Sequence, residues 1–137
     1  MIAAVTDQPL DLLFHVEHVS GPRAGAVATF VGLVRDHDPS VVGEVVGLEY
    51  SAHPDAGRTL ERLAAQVASD EDVLGVAVSH RVGHVRVGEA AIVAAVAAAH
   101  RAEAFDACRR LVETVKADLP VWKRELLADG THHWVGL

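Results

Sequence analysis

The lysines are the residues whose chemistry stands out in this sequence. The chain contains ten arginines but only two lysines, Lys116 and Lys123, which flank Pro120. Arginine keeps its proton at any working pH, whereas a buried lysine amine can lose its proton. Two lysines retained among so many arginines therefore suggest amines that exchange protons or form a transient covalent bond.

The position of Lys116 on its helix bears on this hypothesis. Residues 103–116 are predicted to form a helix with one apolar face, which carries Phe105, Cys108, Val112 and Val115. Lys116 follows Phe105 by eleven residues and so lies about 20° from it around the helix axis. We therefore expect Lys116 on the apolar face and buried there. The alternative is a lysine at a helix C-terminus whose amine extends into water.

Three further cationic or titratable residues fit an anion site. His100 and Arg101 stand where the apolar segment AAIVAAVAAAH meets the next helix, and a helix N-terminus attracts anions such as phosphate. Arg35 ends the apolar segment GAVATFVGLV. The alternatives are a surface pair at residues 100–101 and an arginine that is simply the first exposed residue after a strand.

Charge and composition narrow the classes of function. The formal net charge of −7 argues against general nucleic-acid binding. The stretch 109–124 nevertheless holds five basic residues against Glu113 and Asp118, which suggests a small anionic ligand or an acidic partner, or else a solvated helix face. The nine histidines lack the spacing of a zinc site, including His15 with His18 and the adjacent His132 and His133, so no metal is predicted.

The cellular setting is expected to be the cytoplasm. Cys108 is the only cysteine, so an intramolecular disulfide is impossible, and its place on an apolar helix face predicts inert packing. The N-terminal segment MIAAVTDQPL does not resemble a secretory signal, and no segment has the length and apolar character of a membrane span.

Hydrophobic periodicity predicts a single α+β domain over residues 1–137, with a mostly antiparallel sheet and flanking helices. Helices are predicted at residues 11–20, after Pro54 and at residues 103–116. The Pro54 helix has an apolar stripe of Ala56, Leu60, Leu63 and Val67. Strands are predicted at residues 25–34, 41–50, 73–82, 84–87, 90–100 and 121–127.

The ordered segments GAVATFVGLVRD, VVGLEYSAH, SHRVGHVRVGE, AHRAEAFDACRRLVETVK, LPVWKRE and GTHHWV resemble the catalytic, large subunit of molybdopterin synthase. The resemblance covers residues 25–135. It implies an α/β-hammerhead-like fold and a homodimer that binds a small ubiquitin-like sulfur carrier at each end, giving a heterotetramer. The carrier's C-terminal Gly-Gly thiocarboxylate would supply two dithiolene sulfurs to cyclic pyranopterin monophosphate (precursor Z) for molybdenum cofactor biosynthesis, with no cofactor.

The resemblance also implies residue roles. Lys116 and Lys123 match the catalytic lysines of the family. The matching substrate-pocket residues are Leu33, Val34, Arg35, His100, Arg101, Arg124 and Glu125. Relatives often continue beyond the WV motif with a basic residue for the neighbouring subunit's site. Here Leu137 is the last residue, so we expect that contact to be missing or supplied elsewhere.

Two other classes of function remain open from the sequence. A non-catalytic pterin- or phosphate-binding adaptor would also need the arginines, but only catalysis needs two amines. A hydrolase would use His100 as its base, although the sequence has no G-x-S-x-G nucleophile motif. Replacing both lysines by arginine separates the first two readings, since an adaptor would keep its affinity for the ligand.

Overall fold

Three helices and eight strands make up residues 1–135, the part of the chain that the computed structural model describes. In chain order they are β1 (Ile2–Thr6), α1 (Leu12–Val19), β2 (Ala26–Leu33), β3 (Val45–Ala52), α2 (Ala56–Ala68), β4 (Val73–Arg81), β5 (Gly83–Arg86), β6 (Ala90–Ala98), α3 (Arg101–Asp118), β7 (Val121–Leu127) and β8 (His132–Val135). Residues 136 and 137 of the predicted domain, including Leu137, lie outside the described residues.

The strands divide into two four-stranded sheets. The first has the order β1-β4-β6-β2, in which β1 and β4 are parallel and the other pairs are antiparallel. The second has the order β5-β3-β7-β8 and is antiparallel throughout. The predicted α+β class with mostly antiparallel pairing is therefore confirmed, while the division into two sheets was not predicted.

Strand β6 is the buried centre of the first sheet. Ile92, Ala94, Val96 and Ala98 face the main core with α2 and α3, and Ala95 and Ala97 face α1 on the other side. A strand covered on both faces needs apolar residues throughout. The small alanine side chains allow a close approach of the covering helices, which explains why an alanine-rich segment forms a strand here.

A buried hydrogen-bonded pair fixes α1 to the first sheet. The His15 Nδ1 atom lies 2.6 Å from the Asp11 carbonyl oxygen, so this nitrogen is the donor. His15 Nε2 therefore accepts from the Ser79 hydroxyl, at 2.7 Å, and both side chains are buried. The pair satisfies two polar groups that would otherwise be costly to bury.

Most predicted helices and strands agree with the structure, but one strand is shorter than predicted and two strands were not predicted. The segment 41–50 forms a strand only from Val45 onward, because residues 36–44 belong to the loop between β2 and β3. Strands β1 and β8 were not predicted. Within residues 1–135, no helix combines the length and the apolar character needed to cross a membrane.

The predicted apolar face of α3 was wrong at Phe105, whose side chain is 66% exposed. The buried arc of the helix is centred on its small and aliphatic residues, Ala104, Ala107, Leu111 and Val115, which pack against the sheet. Phe105 lies about 115° away from that centre at 100° per residue. The face was misassigned because the sequence argument gave more weight to large side chains than to alanines.

We expect Ser79→Ala to lower the free energy of unfolding by about 1–3 kcal/mol, because it leaves the buried His15 Nε2 acceptor without a partner. Urea denaturation measures the change. Ser51→Ala, at an exposed position of β3, is the matched control and should change stability by less than about 0.5 kcal/mol. Equal effects of the two substitutions would contradict the role given to the His15–Ser79 pair.

Candidate functional site

A cavity of about 350 Å³ lies where the two sheets meet. Its walls come from the end of β2 and the loop that follows, from β3, β4, β6 and β7, and from the last turns of α3. It contains six of the residues predicted from the sequence for the site: Leu33, Val34, Arg35, Lys116, Lys123 and Glu125.

Both lysines line this cavity, from different elements. Lys116 lies in the last turn of α3, with its amine 5.8 Å from the centre of the Phe30 ring, where a cation is attracted by the aromatic face. Lys123 is half-buried on β7, paired across the sheet with Tyr50 of β3. The predicted burial of Lys116 was wrong: its side chain is exposed, because it lies on the same side of α3 as the exposed Phe105.

The end of β2 contributes a short run of the wall. Val34 is buried, whereas Leu33 is 60% exposed and Arg35 is exposed. Arg35 lies two residues beyond the end of β2, and its guanidinium adds a fixed positive charge to the same cavity as the two amines. The three cations give the cavity the charge that an anionic ligand requires.

Glu125 is the buried carboxyl of the cavity. Its side chain is 5% exposed and is hydrogen bonded to the carboxyl of Asp38 in the loop after β2. Burial, followed by that hydrogen bond and the charge of Asp38, raises the pKa of Glu125 to about 7, against the opposing charges of Lys123 and Arg35. The hydrogen bond from Glu125, followed by those from Ser40, holds the pKa of Asp38 well below its usual range.

His80 and Tyr50 form a second buried part of the wall. His80 lies on β4 with its Nδ1 atom 2.8 Å from the Arg81 carbonyl oxygen, so Nδ1 is the donor and Nε2 is the acceptor nitrogen of the neutral ring. Burial, and then the charges of Lys116 and Lys123, lower the pKa of His80. The Tyr50 ring meets the His80 ring edge-on at 5.1 Å, and burial raises the pKa of Tyr50 to about 12. A neutral imidazole and a neutral phenol therefore face the cavity.

Three predicted site residues lie away from this cavity in a single chain. His100 and Arg101 are exposed at the N-terminus of α3, about 22 Å along the helix axis from Lys116 at 1.5 Å per residue. Arg124 extends from the opposite face of β7, where it donates to Glu49 at 2.9 Å and lies 5.6 Å from the centre of the Trp134 ring. Alternation along the strand separates Arg124 from its neighbours Lys123 and Glu125.

Sequence reasoning missed Asp38, Tyr50 and His80. The signal for Tyr50 was its alternation with Leu48 on one face of β3, which places both side chains against the cavity. For Asp38 and His80 the sequence offered no local signal, because their partners come from other elements. Among residues 1–135, no group of three or more histidine, cysteine or acidic side chains is arranged to hold a metal ion.

Comparison with known proteins adds family information to this geometry. The sequence profile of the MoaE protein family matches residues 5–118. The chain is 41% identical over 133 residues to molybdopterin synthase catalytic subunit 1 of Mycobacterium tuberculosis, covering 96% of this chain and 88% of that protein. The crystal structure of molybdopterin synthase from Staphylococcus aureus superposes with a TM-score of 0.89 at 26% identity, covering 98% and 97% of the two chains.

A third similar structure is a complex. It contains subunits 1 and 2 of the molybdopterin-converting factor from Helicobacter pylori, and one of its chains superposes with a TM-score of 0.77 at 22% identity. The match covers 96% of this chain and 89% of that one. At this identity the likeness shows a shared fold.

We expect Glu125→Gln to stabilise the chain more at pH 8 than at pH 5. In the folded chain the pKa of Glu125 is about 7. Protonation of Glu125 therefore stabilises the folded chain at low pH, and this stabilisation is lost as the pH rises through about 7. Glutamine does not titrate, so the stability difference from wild type should grow by about 1–3 kcal/mol between pH 5 and pH 8.

Urea denaturation at the two pH values measures this difference. Glu44→Gln, at an exposed position outside the cavity, controls for the loss of one negative charge. A Glu125→Gln difference that stays constant between pH 5 and pH 8 would show that the buried carboxyl does not hold its proton as described.

Proposed function

Since the chain belongs to the MoaE family, among whose members are molybdopterin synthase catalytic subunits, we propose that its cavity inserts two sulfurs into cyclic pyranopterin monophosphate. The product is the dithiolene of molybdopterin. The observation that carries the proposal is the meeting of Lys116 and Lys123, the only two lysines of the chain, in one cavity beside Arg35.

The charges of the cavity suit this substrate. A cyclic phosphate is an anion, and Arg35 with the two lysines supplies three cationic side chains around one volume. The buried Glu125 keeps a proton near neutral pH, so it does not add a full negative charge against the phosphate. Tyr50 and Leu48 offer apolar surface to the pterin.

The sulfur is proposed to come from a partner protein. Cys108, the only cysteine, is buried in α3 and packed in the main core, and burial raises the pKa of its thiol, so it is poorly suited to carry sulfur. A small ubiquitin-like subunit with a C-terminal Gly-Gly thiocarboxylate supplies the sulfur in our proposal. Such a tail has no side chains at its last two residues and can enter a narrow cleft.

The structure from Helicobacter pylori supports this partner, because it is a complex of subunits 1 and 2 of the molybdopterin-converting factor. The exposed Leu33 at the mouth of the cavity provides an apolar contact for an incoming chain. We further propose a cytoplasmic location, which a lone buried thiol and the absence of disulfides favour.

His100 and Arg101 are proposed to act on substrate in a neighbouring copy of the chain. The length of α3 keeps them about 22 Å from Lys116 of the same chain, farther than any side chain spans. If all the predicted residues serve one substrate, a homodimer must bring the N-terminus of one α3 helix to the cavity of the other chain. The free N–H groups at that helix end suit a phosphate.

We expect Lys116→Arg and Lys123→Arg each to lower turnover at least about 100-fold, because arginine keeps the positive charge but cannot release a proton. Reconstitution with a thiocarboxylated small subunit and the cyclic pterin, followed by detection of the dithiolene product, measures turnover. Arg109→Lys, on the exposed side of α3 and outside the cavity, is the control and should keep normal turnover. Near-normal turnover of either arginine variant would assign that lysine an electrostatic role only.

We expect Arg35→Ala and Arg101→Ala each to weaken pterin binding by about 1.5–3 kcal/mol with little loss of stability. Isothermal titration of the cyclic pterin measures the affinity, and light scattering reports the dimer.

Mixing Arg101→Ala with Lys123→Arg chains should restore about a quarter of wild-type turnover, since half of the dimers then carry one intact site of two. No restoration would place both residues on the same chain's site or remove Arg101 from it.

A further inference from the structure

The carboxyl pair of Glu125 and Asp38 has a geometry that binding alone does not explain. Glu125 is 5% exposed and lines the cavity, and its Oε1 atom is buried without a hydrogen-bond partner in residues 1–135. Its carboxyl is hydrogen bonded to Asp38. A buried carboxyl oxygen without a protein partner is costly unless a ligand or water satisfies it.

Asp38 is held in place by its own loop. Its Oδ1 atom accepts hydrogen bonds from both the backbone N–H and the hydroxyl of Ser40, each at 2.8 Å. These donors stabilise the ionised form of Asp38 and leave its other oxygen for Glu125. Asp38 therefore remains a carboxylate in a fixed position on the cavity wall.

The proton shared by the pair belongs to Glu125. Two carboxylates within hydrogen-bonding distance cannot both ionise easily, so one of them holds a proton near neutral pH. Glu125 is the more buried of the two and has no other donor among residues 1–135, whereas Asp38 has the two donors of Ser40. The raised pKa of Glu125 and the lowered pKa of Asp38 agree with this assignment.

We propose that Glu125 is a catalytic acid of the cavity and that Asp38 is the positioning residue that keeps Glu125 protonated. The inference rests on the proposed sulfur insertion and assigns a proton donor to it. Lys123 lies two residues before Glu125 on the same face of β7, so the acid and an amine reach the same ligand.

The step balances without a redox partner. The thiocarboxylate sulfur forms a bond to a substrate carbon while the bond from that carbon to a departing oxygen breaks, and its electron pair stays on the oxygen. The Glu125 proton ends on that oxygen, which leaves Glu125 as the carboxylate. This step leaves a thioester that joins the substrate sulfur to the carrier's terminal glycine. Water hydrolyses the thioester, which breaks the acyl–sulfur bond and gives the carrier carboxylate and the substrate thiolate. One of the protons released returns to Glu125, which the negative charge of Asp38 favours.

The other charged and titratable groups around Glu125 come from every neighbouring element. They are Arg35 and His37 from the loop after β2, Tyr50 from β3, His80 from β4, Lys116 from α3, Lys123 from β7 and His133, which is paired with Glu125 across the sheet, from β8. Arg35 and Lys123 favour ionisation of Glu125, but burial and Asp38 outweigh them. Because histidines and lysines also surround the cavity, the test must observe Glu125 itself.

The first measurement is a titration of the full chain labelled with ¹³C at glutamate and aspartate side-chain carboxyls, with Glu125→Gln identifying the resonance. We expect the Glu125 carboxyl to titrate near pH 7 in the wild type and at lower pH in Asp38→Asn, which removes the neighbouring negative charge. Asp36→Asn, an exposed aspartate of the same loop outside the cavity, should leave the Glu125 titration unchanged. Titration of wild-type Glu125 below pH 5 would overturn the proposal whatever the activity.

The second measurement is the pH profile of dithiolene formation in the reconstituted complex. Wild-type turnover should fall as the pH rises past about 7, and Glu125→Gln should lower kcat about 100-fold or more and remove this dependence. Asp38→Asn should move the fall to lower pH. A wild-type profile in Glu125→Gln would overturn the acid role while leaving sulfur insertion intact. Failure of the wild type to form product, with Glu125 titrating near 7, would overturn sulfur insertion and the acid role that rests on it.

Discussion

The burial of β6 on both faces is the constraint on which the rest of the structure depends. A strand between two layers of helix must be apolar along its whole length, and here alanine and valine meet that requirement. The small side chains allow the backbone of α3 to lie close to the sheet. This close packing fixes the position of the helix. Lys116 at one end of α3 and His100 at the other are placed by this packing.

The cavity arises where the first sheet ends and the second begins. Strand β7 sends Lys123 and Glu125 inward and Arg124 outward, and β3 supplies Tyr50 to the same side. Enclosure by the two sheets desolvates Glu125 and His80, which favours the neutral form of each. The exposed Lys116 and Arg35 lie at the mouth, whereas the buried Glu125 and His80 are neutral, titratable groups of the interior.

Local patterns in the sequence predicted most elements and the two lysines of the site. The alternation in residues 121–127 and the apolar run before His100 gave the correct strands, because their signals are short-range. The pairing of β3 with β7, the meeting of Asp38 with Glu125 and the inward position of His80 depend on contacts between distant segments, which periodicity does not encode. The prediction that Lys116 is buried was wrong, because alanines and not Phe105 define the packed side of α3.

The alternation along β7 has a consequence for how the segment PVWKRE can vary in length. Trp122 and Arg124 occupy the outer face, where Arg124 is fixed between Glu49 and Trp134, while Lys123 and Glu125 occupy the inner face. Loss or gain of one residue between Pro120 and Lys123 would exchange the two faces, placing a permanent cation inside and the amine outside. Homologous chains are therefore free to change side chains on the outer face, but insertions and deletions in this segment should come in pairs or not at all.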